Sequence, residues 1–145
     1  MPRYFEDISV GDTQSFGSYT VTREEIVEFA RQYDPQPFHL DSDEAGATPF
    51  DGVVASGWHT AAMTMRVLVD GFLSETESRG ALGVDELRWY EPVRPGDTLT
   101  AATEIVATEP WDDDYGKVDV RVETLVESEV VCSMIGLILF AKRNS

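Results

Sequence analysis

The chain has 145 residues, 42% of them hydrophobic, which is enough for one domain with a real core and leaves no sign of a second. Eleven basic residues face 27 acidic ones, a net charge of −16 dispersed along the chain. That surface argues against nucleic acid and anionic membranes as partners. Only Lys117 and Lys142 are lysines. Dispersed carboxylates with so few lysines suit a halophilic protein, because at ~1 M salt the Debye length of about 3 Å screens their repulsion. Cys132 is the only cysteine, so no intrachain disulfide can form and it reads as a small buried hydrophobe. A cytoplasmic location is expected. Residues 1–10 carry Arg3, Glu6 and Asp7 without an apolar run, so no secretory signal is expected. No stretch of about 18 apolar residues offers a membrane span.

Phe5 to Asp12 reads as an opening segment with a turn at Gly11-Asp12, and Thr13 to Val21 as a strand. Thr22-Arg23-Glu24-Glu25 is a capping-box pattern that opens a helix. Ile26, Phe29, Ala30 and Tyr33 then share one apolar face, and Asp34-Pro35 ends the helix. A short helix from Asp41 as cap to Ala47 is expected next. Gly57 to Phe72 is apolar on every side of a helical wheel, with Arg66 and Asp70 its only charges, so it is expected to be buried all round. Ser56 is its N-cap, and Gly57, Ala61 and Ala62 would let strands approach closely. After Gly80 come four strands: Ala81 to Tyr90, Thr98 to Thr108, Lys117 to Glu127 and Val130 to Ala141. Asp112 to Gly116 reads as a solvated hairpin tip. Val118, Val120, Val122, Thr124 and Val126 alternate with Asp119, Arg121 and Glu123, as on a half-buried strand. Val130 to Ala141 is apolar on both faces, as for a covered strand. The economical arrangement is α+β: a curved antiparallel sheet wrapped around one long buried helix.

The chemistry concentrates in Tyr33 to Thr60, which holds both histidines, His39 and His59, and the acids Asp34, Asp41, Asp43, Glu44 and Asp51. Titratable groups on a Pro-stiffened loop beside an apolar helix suit proton transfer. Two histidines without metal-ligand spacing give no metal site.

Asp34-Pro35-Gln36-Pro37-Phe38-His39-Leu40-Asp41 resembles the hydratase-2 motif of MaoC-like proteins, the (R)-specific enoyl-CoA hydratases. Asp34, Pro37, His39 and Asp41 match, and Gln36 stands where the family has Asn. Ser56-Gly57 matches the small residue and Gly at the head of the family's buried helix. The resemblance covers nearly the whole chain and implies a single hot-dog domain over residues 1–145. It implies that Asp34 and His39 hold and activate one water, and that the Gly57 N–H receives the thioester oxygen. The reaction implied is reversible syn hydration of a trans-2-enoyl-CoA to an (R)-3-hydroxyacyl-CoA, with acyl-CoA as substrate and no cofactor. Gln36, Phe38, Ser56, Trp58 and His59 are expected around the substrate, His59 as a pocket-lining or structural residue. A hot-dog thioesterase, or a non-catalytic acyl-CoA-binding partner subunit, are the alternatives. The apolar run Val130 to Ala141 suits no exposed edge, so a homodimer or higher homo-oligomer is expected. Because CoA is polyanionic, a local cationic site is expected among Arg88, Arg94, Lys142 and Arg143.

Overall fold

The computed structural model describes residues 2–40, 43 and 52–143. The helix expected from Asp41 to Ala47, and the motif residue Asp41, lie outside the described residues. Five antiparallel strands form one sheet: β1 (Thr13–Thr20), β2 (Ser78–Trp89), β3 (Thr98–Pro110), β4 (Tyr115–Val126) and β5 (Glu129–Ala141), in the order β1-β3-β4-β5-β2. Helices α1 (Arg23–Tyr33) and α2 (Gly57–Gly71) flank the loop that carries the site. A single 3-10 turn, Phe5–Asp7, precedes β1.

The capping box at Thr22 forms on both sides: the Thr22 hydroxyl accepts from the Glu25 N–H and Glu25 reaches back to the Thr22 N–H. Ile26 and Ala30 are fully buried beneath α1. Tyr33, the last residue of the helix, is not: it is 71% exposed, with its ring centroid 5.1 Å from that of Phe29.

Helix α2 crosses the concave face of the sheet and joins two core clusters, one around Met63 with Val21, Ile26 and Leu99, the other around Leu68 and Phe72 with Val118, Val120 and Phe140. The burial is one-sided rather than complete. Trp58, Met65 and Val69 are exposed along one stripe of the helix, since five strands do not close around a cylinder. Of the small residues expected to admit a strand, Ala62 is exposed and Ala61 half-buried, while Gly57 lies against Trp89 of β2. Gly17 and Gly71 are close approaches as well: a Cβ on Gly17 would overlap Val67, and one on Gly71 would overlap Phe16. Gly17 also sits at φ +82 in the β1 irregularity between Phe16 and Tyr19, a conformation that favours glycine. Inside the core, the Thr64 hydroxyl donates to the Thr60 carbonyl at 2.8 Å and lies 2.7 Å from the Thr124 hydroxyl, which must therefore be the donor. This ties α2 to β4.

Strand β5 lies inside the sheet between β4 and β2, so its continuous apolar run is used there. Its inner side, with Ile138 and Phe140, is buried, while Ile135, Leu137 and Leu139 on the other side are half-buried. The edge strands are β1 and β2, and on β2 Leu82 and Val84 are exposed. The tip at 111–115 is closed by the Asp112 carboxylate, which accepts from the Asp114 and Tyr115 N–H groups at 2.8 Å. Cys132 is fully buried, and burial pushes its thiol up to about 11. No helix among the described residues is long and apolar enough to cross a membrane.

Candidate active site

Asp34 caps the C-terminus of α1, its N–H bonded to the Ala30 carbonyl. Pro35 and Pro37 then force the chain out of the helix, and Pro37–His39 forms one 3-10 turn closed by the His39 N–H on the Gln36 carbonyl. The extended segment Val53 to Ser56 straps this loop to the body. Its Val54 N–H bonds the Phe38 carbonyl and its Ala55 N–H the Val93 carbonyl. The same segment delivers Ser56 and the N-terminus of α2 beside Asp34.

The loop places His39 and Asp34 side by side, with Nε2 3.2 Å from Oδ2. His39 is buried, and its Nδ1 lies 2.7 Å from the Val54 carbonyl oxygen. A carbonyl only accepts, so Nδ1 carries a proton and donates it. In the neutral ring Nε2 is then an acceptor, facing the carboxylate, another acceptor. Two converging acceptors suit a donor with two hydrogens, which is what a water molecule supplies.

Asp34 is held as a carboxylate. Burial by itself raises its proton affinity. Hydrogen bonds from Ser56 and Gln36, joined by the charge of His39 when its ring is protonated, outweigh burial and keep the group below its usual range. Gln36 Nε2 donates to Oδ1 at 2.7 Å, so the residue that departs from the motif acts directly on the acid. Ser56, fully buried, also caps α2 by accepting from the Trp58 N–H at 3.3 Å. The Gly57 N–H is the first of α2, where a helix offers no internal acceptor and its dipole is positive.

A cleft of about 380 Å³ collects these groups: Asp34, Gln36, Phe38, His39, Ser56, Gly57 and Trp58 line it. Of the residues expected to act on or surround the substrate, only His59 lies elsewhere. Its ring stacks on Phe29 with centroids 4.6 Å apart, in a groove along α1, and its buried Nδ1 has no hydrogen-bond partner among the described residues. The cleft also uses Val54, Thr60, Trp89, Tyr90 and Val93, which the motif does not mark. The aromatic pair Trp89-Tyr90, just before Pro92 at a strand end, was the only sequence signal for them. Among the described residues no cluster of three His, Cys, Asp or Glu could hold a metal.

Of the cationic candidates, Lys142 and Arg143 lie away from the cleft. Arg143 pairs with Asp7, and Lys142 Nζ donates to the Asp112 carbonyl at the hairpin tip. That tip is nine residues of β5 from Cys132, about 30 Å at 3.3 Å per residue. Arg88 lines a small pocket with Glu86 and Arg121, and Arg94 bonds Asp97 through its backbone N–H.

A curved antiparallel sheet around one central helix, with a charged loop at the helix head, is the hot-dog fold of hydratase-like proteins. Residues 7–128 match the model of the MaoC like domain, and the chain belongs to that family. It is 33% identical over 109 residues to the (R)-specific enoyl-CoA hydratase of Rhodospirillum rubrum, covering 74% of this chain and 72% of that protein. It is 27% identical over 126 residues to the uncharacterized protein YdeM of Bacillus subtilis, covering 86% and 89%. The crystal structure of the MaoC-like dehydratase from Rhodospirillum rubrum superposes with a TM-score of 0.87 at 37% identity, over 97% of each chain.

Proposed function

We propose that this protein reversibly hydrates a trans-2-enoyl-CoA to an (R)-3-hydroxyacyl-CoA. The observation that carries this reading is the pair of acceptors, His39 Nε2 and Asp34 Oδ2, converging beside the N-terminus of α2. A water donating one hydrogen to each presents its lone pair outward, to C3 of the substrate. As its oxygen bonds to C3, one O–H bond breaks and the proton passes to the pair. The C2–C3 π electrons move toward the thioester, whose oxygen gains negative charge. The Gly57 N–H and the positive end of α2 stabilise that charge. The pair then returns a proton to C2 on the same face, so the addition is syn and atoms balance with water and thioester alone. No cofactor is assigned.

The assembly proposed is at least a homodimer. The support is the open edge of β2, with Leu82 and Val84 exposed, together with the exposed stripe of Met65 and Val69 on α2.

Crotonyl-CoA and longer enoyl-CoAs, followed by loss of the enone absorbance and identification of the product, test the reaction. Asp34→Asn and His39→Ala should each lower turnover by about 10² or more while leaving the fold intact. Release of free thiol would instead identify a thioesterase. A folded His39→Ala variant with near-native turnover would remove the assignment.

A further inference from the structure

Strand β4 buries Val118, Val120 and Val122 and then, at the next inward position, a threonine, Thr124. A valine there would have the same shape and no hydroxyl to satisfy, and burying a hydroxyl without a partner is unfavourable. Thr124 meets a second buried threonine, Thr64, on the core side of α2. Their hydroxyls lie 2.7 Å apart, and Thr64 donates to the Thr60 carbonyl at 2.8 Å. The carbonyl only accepts, so Thr124 donates to Thr64 and Thr64 to Thr60. From β5 the thiol of Cys132 hydrogen-bonds Thr124. With the Thr124 hydrogen committed to Thr64, the thiol is the donor. Cys132, Thr124, Thr64 and Thr60 thus form one directed chain from the sheet into α2. All four residues are buried within a single chain, so the arrangement does not depend on what covers the outer surface.

The chain of donors ends at the head of α2, where the site begins. Thr60 lines the cleft. Its N–H and that of His59 both donate to the Ser56 carbonyl, at 3.0 and 2.9 Å. The Ser56 carbonyl and the Gly57 N–H belong to one planar peptide unit and point in opposite directions. Holding that carbonyl therefore aims the N–H that faces the thioester oxygen. A threonine hydroxyl bonded back to the carbonyl four residues earlier also sets the local tilt of a helix. Thr64 is bonded in this way to Thr60 and is itself held by Thr124 on the sheet. Packing does not require either hydroxyl: Met63 and Leu68 belong to apolar clusters on the two sides of Thr64, and valines would join them.

Resting on the hydratase reading above, we propose that Thr64 and Thr124 are positioning residues for the reaction: their hydroxyl chain holds the first turn of α2 so that the Gly57 N–H meets the charge developing on the thioester oxygen. Neither residue touches the substrate. A donor aimed at charge that develops during the reaction stabilises the transition state more than the bound substrate, so a misaimed donor lowers kcat and leaves KM nearly unchanged.

The test follows crotonyl-CoA hydration and thermal unfolding together in the full-length protein. Thr64→Val should lower kcat about tenfold and keep KM within about twofold, a smaller loss than the ~10²-fold that a displacement of about 1 Å costs. Thr64→Ser, which keeps the hydroxyl, should recover most of the lost rate. Thr64→Val combined with Thr124→Val replaces both buried hydroxyls by methyl groups, so Tm should stay at or above the wild-type value while kcat stays low. A merely structural role would not separate the two. Where Thr64→Val alone fails to fold, because the Thr124 hydroxyl is stranded, the double variant carries the test. A double variant with wild-type kcat would overturn the proposal. So would Thr64→Ser no faster than Thr64→Val, or kcat that falls only in step with Tm. A wild-type protein that hydrates no enoyl-CoA strikes the hydratase reading itself, and the proposal falls with it.

Discussion

Replacing Ser56 by Ala removes one hydroxyl with two duties. That hydroxyl accepts from the Trp58 N–H as the N-cap of α2, and it hydrogen-bonds the Asp34 carboxylate. The residue is fully buried, so no bulk water takes over the cap. Loss of a serine N-cap costs about 1 kcal/mol. Loss of a hydrogen bond to a charged acceptor costs ~1.5 kcal/mol, the low end of its range, because Gln36 still donates to Asp34 at 2.7 Å. The total, about 2.5 kcal/mol, divided by an unfolding entropy of ~0.3 kcal/mol/K for a chain of this size, lowers Tm by about 8 °C. Urea and thermal unfolding measure this. The same change takes a donor from the Asp34 carboxylate and so raises its proton affinity. The acid limb of the pH–rate profile should move toward neutral pH. A Ser56→Ala enzyme with wild-type Tm and a wild-type acid limb would show that Ser56 neither caps the helix nor holds the acid.

Three further outcomes are expected. Burial holds His59 below its ordinary value of 6.5, with Glu25 offsetting only part of that. The unfolded chain therefore binds the proton first, and stability is lost as pH falls from 6.5 toward the folded value. His59→Phe, which keeps the stack on Phe29, should flatten the fall of Tm between pH 6.5 and about 5, and equal slopes in both proteins would refute this. Salt should raise both activity and Tm between about 0.1 and 2 M, as the Debye length falls from ~10 Å to below ~3 Å and screens the net charge; a monotonic fall of both in KCl would end the halophilic reading. Light scattering should give at least twice the chain mass, and Val84→Lys on the β2 edge should shift it toward the monomer; a stable wild-type monomer at assay concentration contradicts the dimer.

The fold was legible wherever local signals are strong. The Thr22 capping box, the Pro after Asp34 and the clean alternation of Val118, Val120 and Val122 each act within a few residues, and each element formed where they pointed. What failed was inference from hydrophobicity to complete burial. The exposed Trp58, Met65 and Val69 on α2 are as apolar as the buried Met63, Val67 and Leu68, and nothing in composition says which stripe the sheet covers. Likewise the apolarity of β5 reads the same for a covered interior strand and for an edge awaiting a partner. Only the strand order separates them, and the order depends on pairings across the whole chain.

The site shows the same division between local and distant causes. Asp34 and His39 sit five residues apart at the two ends of one short loop, so their spacing carries their meeting. The carbonyl that sets the His39 tautomer belongs to Val54, and the ring over Gly57 belongs to Trp89; both arrive from other parts of the fold with no motif to announce them. Gln36 shows how a departure from a pattern is absorbed. Its side chain, one methylene longer than Asn, reaches back two residues to Asp34 Oδ1. The carboxylate lies at the C-terminus of α1, where the helix dipole disfavours negative charge, and burial disfavours it further. Gln36 and Ser56 supply hydrogen-bond donors, and the N-terminus of α2 brings a dipole of the favourable sign. An acid placed at the wrong end of one helix is thus kept ionised by the right end of another. The two helices can cooperate in this way only because the strap Val53 to Ser56 holds their ends together.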